Sequence, residues 1–243
     1  MGAVTPLHQI GRKVPIQGRI RLGTKSPKGY PTSLSTFRFT SQDRQAIIQI
    51  AEQYGGSPAK WRKEFEVITE TDTLPVLLPP DPLGDSPNYE LWSGGGRLRT
   101  CDGETAMVPN QTPDGVELEP TDCICEKKNV LECSVSTRLT VILRDISFGG
   151  AWMLASNGWY AAQELPGMVD MVMMAQTRGL TKATLRLEKR EKKEPGQPMK
   201  KFVVPVLSPD VSLEELAAGA GSVGYLAPAP SDDVLEIEAN EIR

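Results

Sequence analysis

Most of the chain consists of short stretches in which apolar and polar residues alternate, a period typical of half-buried β-strands. The clearest example is the stretch 137–146, in which Leu139, Val141 and Leu143 share one face. Glycine or proline turns join successive stretches, which predicts hairpins and a mainly antiparallel sheet. The predicted strands are residues 33–40, 61–69, 73–78, 89–92, 137–146, 151–155, 183–193 and 200–207.

The last two predicted strands form a hairpin with a basic tip. Leu185 and Leu187 are expected to form its inner side together with Phe202, Val204 and Val206.

A further stretch with strand character, Ile16 and residues 19–22, lies close to the N-terminus. Pro15 lacks an amide hydrogen and Gly18 weakens a strand, so the pattern predicts an edge strand or a loop here.

Apolar residues spaced three and four apart predict a helix after residue 41. Ser41 is expected to cap it, and Gly55-Gly56 is expected to end it. Its apolar stripe is typical of a helix that faces a core and comprises Ala46, Ile47, Ile50, Ala51 and Tyr54. A short helix is also predicted at residues 212–218.

A second helical region is predicted at residues 158–178, between the capping pair Ser156-Asn157 and Gly179. Pro166-Gly167 is expected to break or kink it, because proline cannot donate the helical hydrogen bond. One side is rich in methionine. Methionine-rich helices can bind partners, but this side is interpreted as a core face, and it comprises Met168, Met171, Val172, Met174 and Ala175.

The bulk composition is that of a soluble, turn-rich protein, with 39% apolar and 24% charged residues, 22 Gly and 20 Pro among 243 residues. No apolar run reaches the roughly 18 residues that span a bilayer, and residues 1–20 lack the apolar centre of a signal peptide. A cytoplasmic protein without membrane contact is therefore expected, in a compartment where thiols stay reduced.

The net charge of −4 is unevenly distributed along the chain. Residues 1–60 contain nine basic and two acidic residues, whereas residues 61–180 contain nine basic and eighteen acidic residues. Residues 181–201 are again basic, and residues 226–243 are acidic. This asymmetry predicts distinct charged faces or a merely solvated surface, and any DNA contact by the basic parts would be salt-sensitive.

All four cysteines lie within 33 residues, as Cys101, Cys123, Cys125 and Cys133. In a reducing compartment such a cluster favours one structural Zn²⁺ over disulfides. Four thiolates complete a tetrahedral site and leave no position for a catalytic water. The segment between the first two cysteines has few large apolar residues, so a metal is expected to hold it. Unliganded buried thiols are the competing interpretation.

These features predict an α+β fold, with a mainly antiparallel sheet, a few helices and an inserted cysteine-rich zinc-binding loop. Residues 1–30 are expected to form a basic, glycine- and proline-rich arm. Residues 31–225 are expected to form the core domain, with the insertion at about 96–135. Residues 226–243 are expected to be an acidic, flexible tail that orders on a partner.

No catalytic constellation is found in the sequence. A Ser-His-Asp or Cys-His arrangement needs a histidine, and His8 is the only one. The glycines at 94–96 lack the Gly-Lys-Ser/Thr of a phosphate-binding loop and are expected to form a turn or a bulge. The sequence therefore predicts a protein without enzymatic activity or a small-molecule substrate.

A series of sequence blocks resembles the recombination directionality factors of actinobacterial phages that carry large serine integrases. The resemblance covers roughly residues 10–208. Its blocks are residues 16–23, 29–32, 36–41, Trp61 with 65–70, 74–80, 89–96, the cysteine segment and 161–168.

The resemblance implies regulation of a recombinase. Such a factor binds the integrase at its C-terminal region, including the coiled-coil arm, and switches it from integration to prophage excision by recombination of the hybrid sites. The integrase reads the DNA, so DNA contact by the factor is expected to be mainly indirect. Members are often described as metal-binding, in agreement with a zinc site at the four cysteines. The cysteine segment, the basic hairpin tip and the helix after Pro166 are candidate contact surfaces.

Two other functions remain open. A phage single-stranded DNA-binding or annealing protein would use the basic N-terminal part, with Phe37, Phe39, Trp61 or Trp92 as stacking platforms. A metal-dependent hydrolase would require an open coordination position on the metal.

Overall fold

The computed structural model describes residues 15–26, 28–112, 115–146, 150–174, 180–193 and 199–210. Within these ranges it contains thirteen strands and three helices. The strands are β1 (Ile16–Lys25), β2 (Pro31–Ser41), β3 (Ala59–Trp61), β4 (Glu64–Ile68), β5 (Thr73–Leu78), β6 (Asn88–Ser93), β7 (Gly96–Cys101), β8 (Thr105–Thr112), β9 (Gly115–Asp122), β10 (Ser134–Leu143), β11 (Ala151–Ser156), β12 (Thr181–Lys192) and β13 (Lys200–Pro209). The helices are α1 (Arg44–Tyr54), α2 (Ile124–Lys128) and α3 (Trp159–Met174).

One continuous sheet connects these strands in the order β3-β4-β2-β1-β11-β10-β6-β7-β8-β9. Strand β5 pairs with β10 and with β12, and β12 pairs with β13. Among the described pairings, only β1 with β11 is parallel. The predicted α+β fold with a mainly antiparallel sheet is thereby confirmed. No described helix is long and apolar enough to cross a membrane.

The prediction of an edge strand or loop near the N-terminus is wrong, because β1 lies inside the sheet between β2 and β11. Residues 16–25 of the predicted arm are thus a strand of the sheet. Gly18 is required here by close packing. A Cβ atom at this position would lie 2.4 Å from the Thr40 carbonyl oxygen and 2.5 Å from the Trp152 ring.

The core lies between the sheet and the helices α1 and α3, and its largest fully buried side chains include Trp152, Phe37 and Phe39. The Phe39 and Trp152 rings meet edge to face, with 5.1 Å between their centroids. Helix α1 adds Ile47 and Ile50, both fully buried, as its apolar spacing predicts.

The N-cap of α1 is Asp43, not the predicted Ser41, because the Asp43 carboxylate accepts hydrogen bonds from the Gln45 and Ala46 amides. The Ser41 hydroxyl instead donates to the Gln17 carbonyl of β1 at 2.6 Å. The helix ends at Gly55, as predicted, where a positive φ of 77° favours glycine.

The predicted strand 61–69 is two strands, β3 and β4, joined by a two-residue turn at Arg62-Lys63. Arg62 has a φ of 54°, a left-handed conformation that is uncommon for a residue other than glycine.

Of the predicted break or kink at Pro166, the break does not occur, because helix α3 continues through this residue. Its core face is formed by Ala161, Leu165, Val169 and Val172. The expected methionine core face is wrong for Met171 and Met174, which are 57% and 81% exposed.

The predicted hairpin β12–β13 is present, but Leu185 and Leu187 do not share a face with Phe202, Val204 and Val206 as expected. Leu185 lies opposite Leu207, and Leu187 lies opposite Pro205. Phe202 lies opposite Arg190 and stacks on Tyr160 of α3 at 5.2 Å. The hairpin tip at 194–198, the predicted helix at 212–218 and the predicted tail at 226–243 lie outside the described residues.

Candidate metal centre

The cysteine segment is more regular than the predicted loop, because β8 and β9 form a hairpin between Cys101 and Cys123. Every residue of β9 is exposed, so no other element covers either face of this outer strand of the hairpin. We call β6–β9, α2 and the residues up to Cys133 the cysteine lobe. It is attached to the main sheet where β6 pairs with β10.

The four cysteines come from three parts of this lobe. Cys101 ends β7, Cys123 and Cys125 lie at the start of α2, and Cys133 directly precedes β10. Cys123 is the N-cap of α2, in an extended conformation, and the chain turns into the helix after it. In a straight strand the side chains of Cys123 and Cys125 would not both face one metal ion. The turn into α2 supplies the bend that lets them do so.

All four cysteines line one cavity of about 170 Å³, together with Tyr89. They are free thiols, and the Sγ atoms of Cys125 and Cys133 are 3.6 Å apart. A tetrahedral zinc site with Zn–S bonds of about 2.3 Å places its sulfur atoms about 3.8 Å from one another. The Cys125–Cys133 separation therefore fits two ligands of one zinc ion.

Backbone amides point at two of the sulfur atoms. The Gly103 amide donates to Cys101 Sγ at 3.2 Å, and the Glu132 amide donates to Cys125 Sγ at 3.4 Å. Such hydrogen bonds stabilise a thiolate more than a thiol, because the charged sulfur is the stronger acceptor. They are consistent with a site whose sulfurs carry negative charge.

The pKa values of the thiols differ with their surroundings. Burial, reinforced by the neighbouring Cys125, raises the pKa of Cys133 to about 11. Burial also raises the pKa of Cys101. For Cys125, burial is outweighed by hydrogen bonds from the Glu132 and Cys133 amides, and its pKa is lowered.

The side chain of Arg99 provides an independent test of the fit. Its Nε and Nη1 atoms are buried without a hydrogen-bond partner, and its charge acts on Cys133. Four thiolates around Zn²⁺ carry a net charge of −2, part of which this half-buried guanidinium would offset. Within the described residues, no three or more His, Cys, Asp or Glu side chains are arranged so that they could hold a metal ion.

Sequence reasoning missed a buried ion-pair network at the attachment of the lobe. The Glu90 side chain is 2% exposed and accepts hydrogen bonds from Arg138 at 2.6 Å, Arg97 at 3.0 Å and Trp92 at 3.0 Å. Burial raises the pKa of Glu90, but these three donors outweigh it and lower the pKa to about 2. A single glutamate in an alternating strand gives no sign of such partners.

Sequence reasoning also missed an arginine cluster around Trp61. The guanidinium groups of Arg21, Arg38 and Arg62 lie over the indole ring, at 5.1, 4.5 and 4.9 Å from its centre. A nucleic acid base could stack on this ring only by displacing them. The only signal in the sequence is the alternation of basic residues along β1.

The other proposed stacking platforms give little support to single-strand binding. Phe37 and Phe39 are fully buried, so their selection as platforms is wrong. Trp92 is 58% exposed, and its indole N–H donates a hydrogen bond to the Glu90 carboxylate. His8 lies outside the described residues. Gly94 and Gly95 form the predicted turn between β6 and β7, and Gly96 is the first residue of β7.

A family model described as Gp3-like, recombination directionality factor-like, matches residues 17–210. The match extends from β1 to the residue after β13 and includes the whole cysteine lobe. The chain therefore belongs to this family of phage recombination directionality factor-like proteins. No curated protein and no solved structure matches it significantly.

Proposed function

We propose that this protein is a recombination directionality factor that switches a large serine integrase of an actinobacterial phage from integration to prophage excision. The family match over residues 17–210 carries this proposal. In it the protein is a non-enzymatic regulator that works in the bacterial cytoplasm. It binds the C-terminal region of the integrase, including the coiled-coil arm, and the integrase reads the DNA.

The physical basis of such a switch is a population shift. The factor redirects the synaptic complex by binding one arrangement of the integrase arms more tightly than the other. A hundredfold difference in affinity corresponds to about 2.7 kcal/mol, which is within reach of a modest protein interface. No bond-breaking by the factor itself is required.

The four cysteines are proposed to bind one structural Zn²⁺. Three observations support this assignment: the 3.6 Å separation of two sulfur atoms, the amides that point at sulfur, and the two buried Arg99 nitrogen atoms without a hydrogen-bond partner. Four sulfur ligands would close the coordination sphere, so a hydrolytic role of the metal is not favoured.

The proposed metal would fasten the lobe at its base. A two-stranded hairpin is only marginally stable by itself, and β9 is exposed along its whole length. Zinc would tie the end of β7 to α2 and to the start of β10, next to the main sheet. The hairpin would then be presented to a partner in a defined orientation.

A recombination assay tests the main proposal. The purified protein is added to the integrase encoded by the same genome, with plasmids that carry either the hybrid sites or the original phage and bacterial sites. We expect recombination of the hybrid sites to begin and recombination of the original pair to fall. Unchanged rates of both reactions at a saturating concentration of the protein would contradict the proposal.

Elemental analysis tests the metal. We expect one zinc per chain in the purified protein, and loss of zinc in the Cys125→Ala variant. Replacement by cobalt should give the strong absorption of a tetrahedral site with four sulfur ligands. Gly94→Ala is the matched control, because its Cβ would enter open space in the turn of the same lobe. A metal-free protein with an intact lobe would refute the assignment.

A further inference from the structure

A basic cleft of about 860 Å³ lies beside Trp61 and is lined by residues of β1, β2 and the β3–β4 turn. Its charged lining comprises Arg21, Lys25, Arg38, Arg62 and Glu66. Arg38 is buried, pairs with Glu66 and also donates to the Gly23 carbonyl at 3.2 Å. One carboxylate thus faces four cations, which leaves the cleft positively charged.

The charges in this cleft are incompletely neutralised. Among the described residues, neither Arg21 nor Arg62 takes part in an ion pair. Burial lowers the pKa of Arg21, the repulsion of Arg19, Arg38 and Arg62 adds to this, and only Glu64 opposes it. An anionic ligand would relieve this repulsion, and Arg forks bind carboxylates well.

An apolar groove of about 370 Å³ continues from the basic cleft, because both are lined by Leu22, Ser33 and Ser156. Its other walls include Trp159, which is 54% exposed, and Phe202. The combined surface therefore offers a slot for large apolar side chains next to cations. Its ligand should carry apolar and acidic residues close together.

The chain itself contains a segment that carries acidic and apolar residues close together, and this segment lies outside the described residues. Residues 232–242 combine five acidic residues with four large aliphatic ones, and their sequence is Asp-Asp-Val-Leu-Glu-Ile-Glu-Ala-Asn-Glu-Ile. This segment also lies outside the family match, which ends at residue 210. It is thus not part of the region that the family model describes.

The connection is long enough to reach the groove. Phe202, at the groove, and Asp210, after β13, are eight residues apart along an extended chain, which corresponds to about 26 Å. The 21 residues 211–231 would have a root-mean-square span of about 25 Å as a coil, and of about 23 Å with the predicted helix at 212–218. A tether that matches the span gives the highest effective concentration, in the millimolar range for short linkers.

We infer that the basic cleft and the apolar groove together bind the chain's own acidic segment, residues 232–242. The guanidinium groups of Arg21 and Arg62 pair with its carboxylates, and its aliphatic side chains enter the slot beside Trp159. The segment then competes with any other acidic, apolar ligand of this surface.

A binding experiment in the full-length chain tests this inference. The acceptor is a variant whose tail is neutralised by Asp232→Asn, Asp233→Asn, Glu236→Gln, Glu238→Gln and Glu241→Gln. A fluorescent peptide of residues 226–243 is titrated with it and followed by anisotropy. We expect saturable binding that weakens with salt, and at least about fivefold weaker apparent binding to the chain with its natural tail, which competes in cis.

Arg62→Gly in the acceptor is the informative substitution. Glycine suits the positive φ of Arg62 in a two-residue hairpin turn, so the change removes the guanidinium without strain. We expect the peptide to bind about tenfold more weakly, since each such residue contributes a charge-assisted interaction. Lys63→Gln removes the same charge from the same turn outside the cleft and should leave peptide binding unchanged.

Two further probes complete the test. A peptide with the same residues in scrambled order should bind at least about fivefold more weakly, because the aliphatic side chains lose their register with the slot. Equal binding of the scrambled peptide, no binding of the natural one, or no effect of Arg62→Gly would each overturn the inference. Tighter binding of a single-stranded oligonucleotide that depends on Arg62 would show that nucleic acid is the occupant and would also overturn it.

Discussion

The buried carboxylate of Glu90 allows a quantitative prediction about stability. Glu90 lies on β6, where the cysteine lobe joins β10, and pairs with Arg138 and Arg97. The substitution Glu90→Gln keeps the shape of the side chain but removes the charge that both guanidinium groups face. Removal of one partner from a buried ion pair costs about 3 to 5 kcal/mol. Because Arg138 and Arg97 are 28% and 44% exposed, water relieves part of this cost, and we expect about 2 to 3 kcal/mol.

The same carboxylate makes the effect depend on pH. The pKa of Glu90 is lowered from its ordinary value of 4.5 to about 2, so its ionisation favours the folded state. This stabilisation is complete above the unfolded pKa and is lost as the pH falls through the folded pKa. At about 1.4 kcal/mol per pH unit it amounts to about 3 kcal/mol at pH 7. About 2 kcal/mol of it should be gone at pH 3.

Urea unfolding at pH 7 and at pH 3, for the wild type and Glu90→Gln, measures both effects. The difference in the free energy of unfolding between the two proteins cancels the other titrating groups. We expect this difference to shrink by about 2 kcal/mol at pH 3. Glu191→Gln is the matched control, because its pair with Lys201 is exposed and should contribute less than about 1 kcal/mol at either pH. A difference for Glu90→Gln that stays constant with pH would refute the reasoning.

Three further predictions concern packing, capping and the metal. Gly18→Ala should destabilise the fold by about 2 to 3 kcal/mol, because its Cβ would overlap Thr40 and Trp152, whereas Gly94→Ala should be neutral in the same denaturation assay. Asp43→Ala should cost about 1 kcal/mol in thermal or urea unfolding, while Asp43→Asn keeps the cap of α1 and should cost little. Removal of zinc by a chelator should make the cysteine lobe sensitive to protease and leave the main sheet protected, as limited digestion and mass spectrometry would show. Equal digestion with and without chelator would contradict the proposed role of the metal.

Local patterns were sufficient for the elements whose own residues carry the signal. The alternation in β10 and the spacing in α1 are consequences of one buried face, and they predicted both elements correctly. The β5 bounds Thr73–Leu78 also agree with the prediction, because Pro79-Pro80 ends the strand. The four cysteines could be selected as one group because reduced thiols clustered in a short segment have few other roles.

Contacts between residues distant in the sequence decided the rest. From the sequence, Gly18 is interpreted as a residue that weakens a strand. The structure shows that glycine is needed there because Trp152 of β11 packs directly against it. Met171 and Met174 fit a helical stripe, but only the position of α3 on the sheet decides that these two side chains face outwards. Arg97 and Arg138 reach Glu90 from β7 and β10. Arg21 and Arg38 reach Trp61 from β1 and β2, and no local periodicity predicts such contacts. Periodicity reports which residues share a face of one element, whereas the packing of elements determines what that face meets.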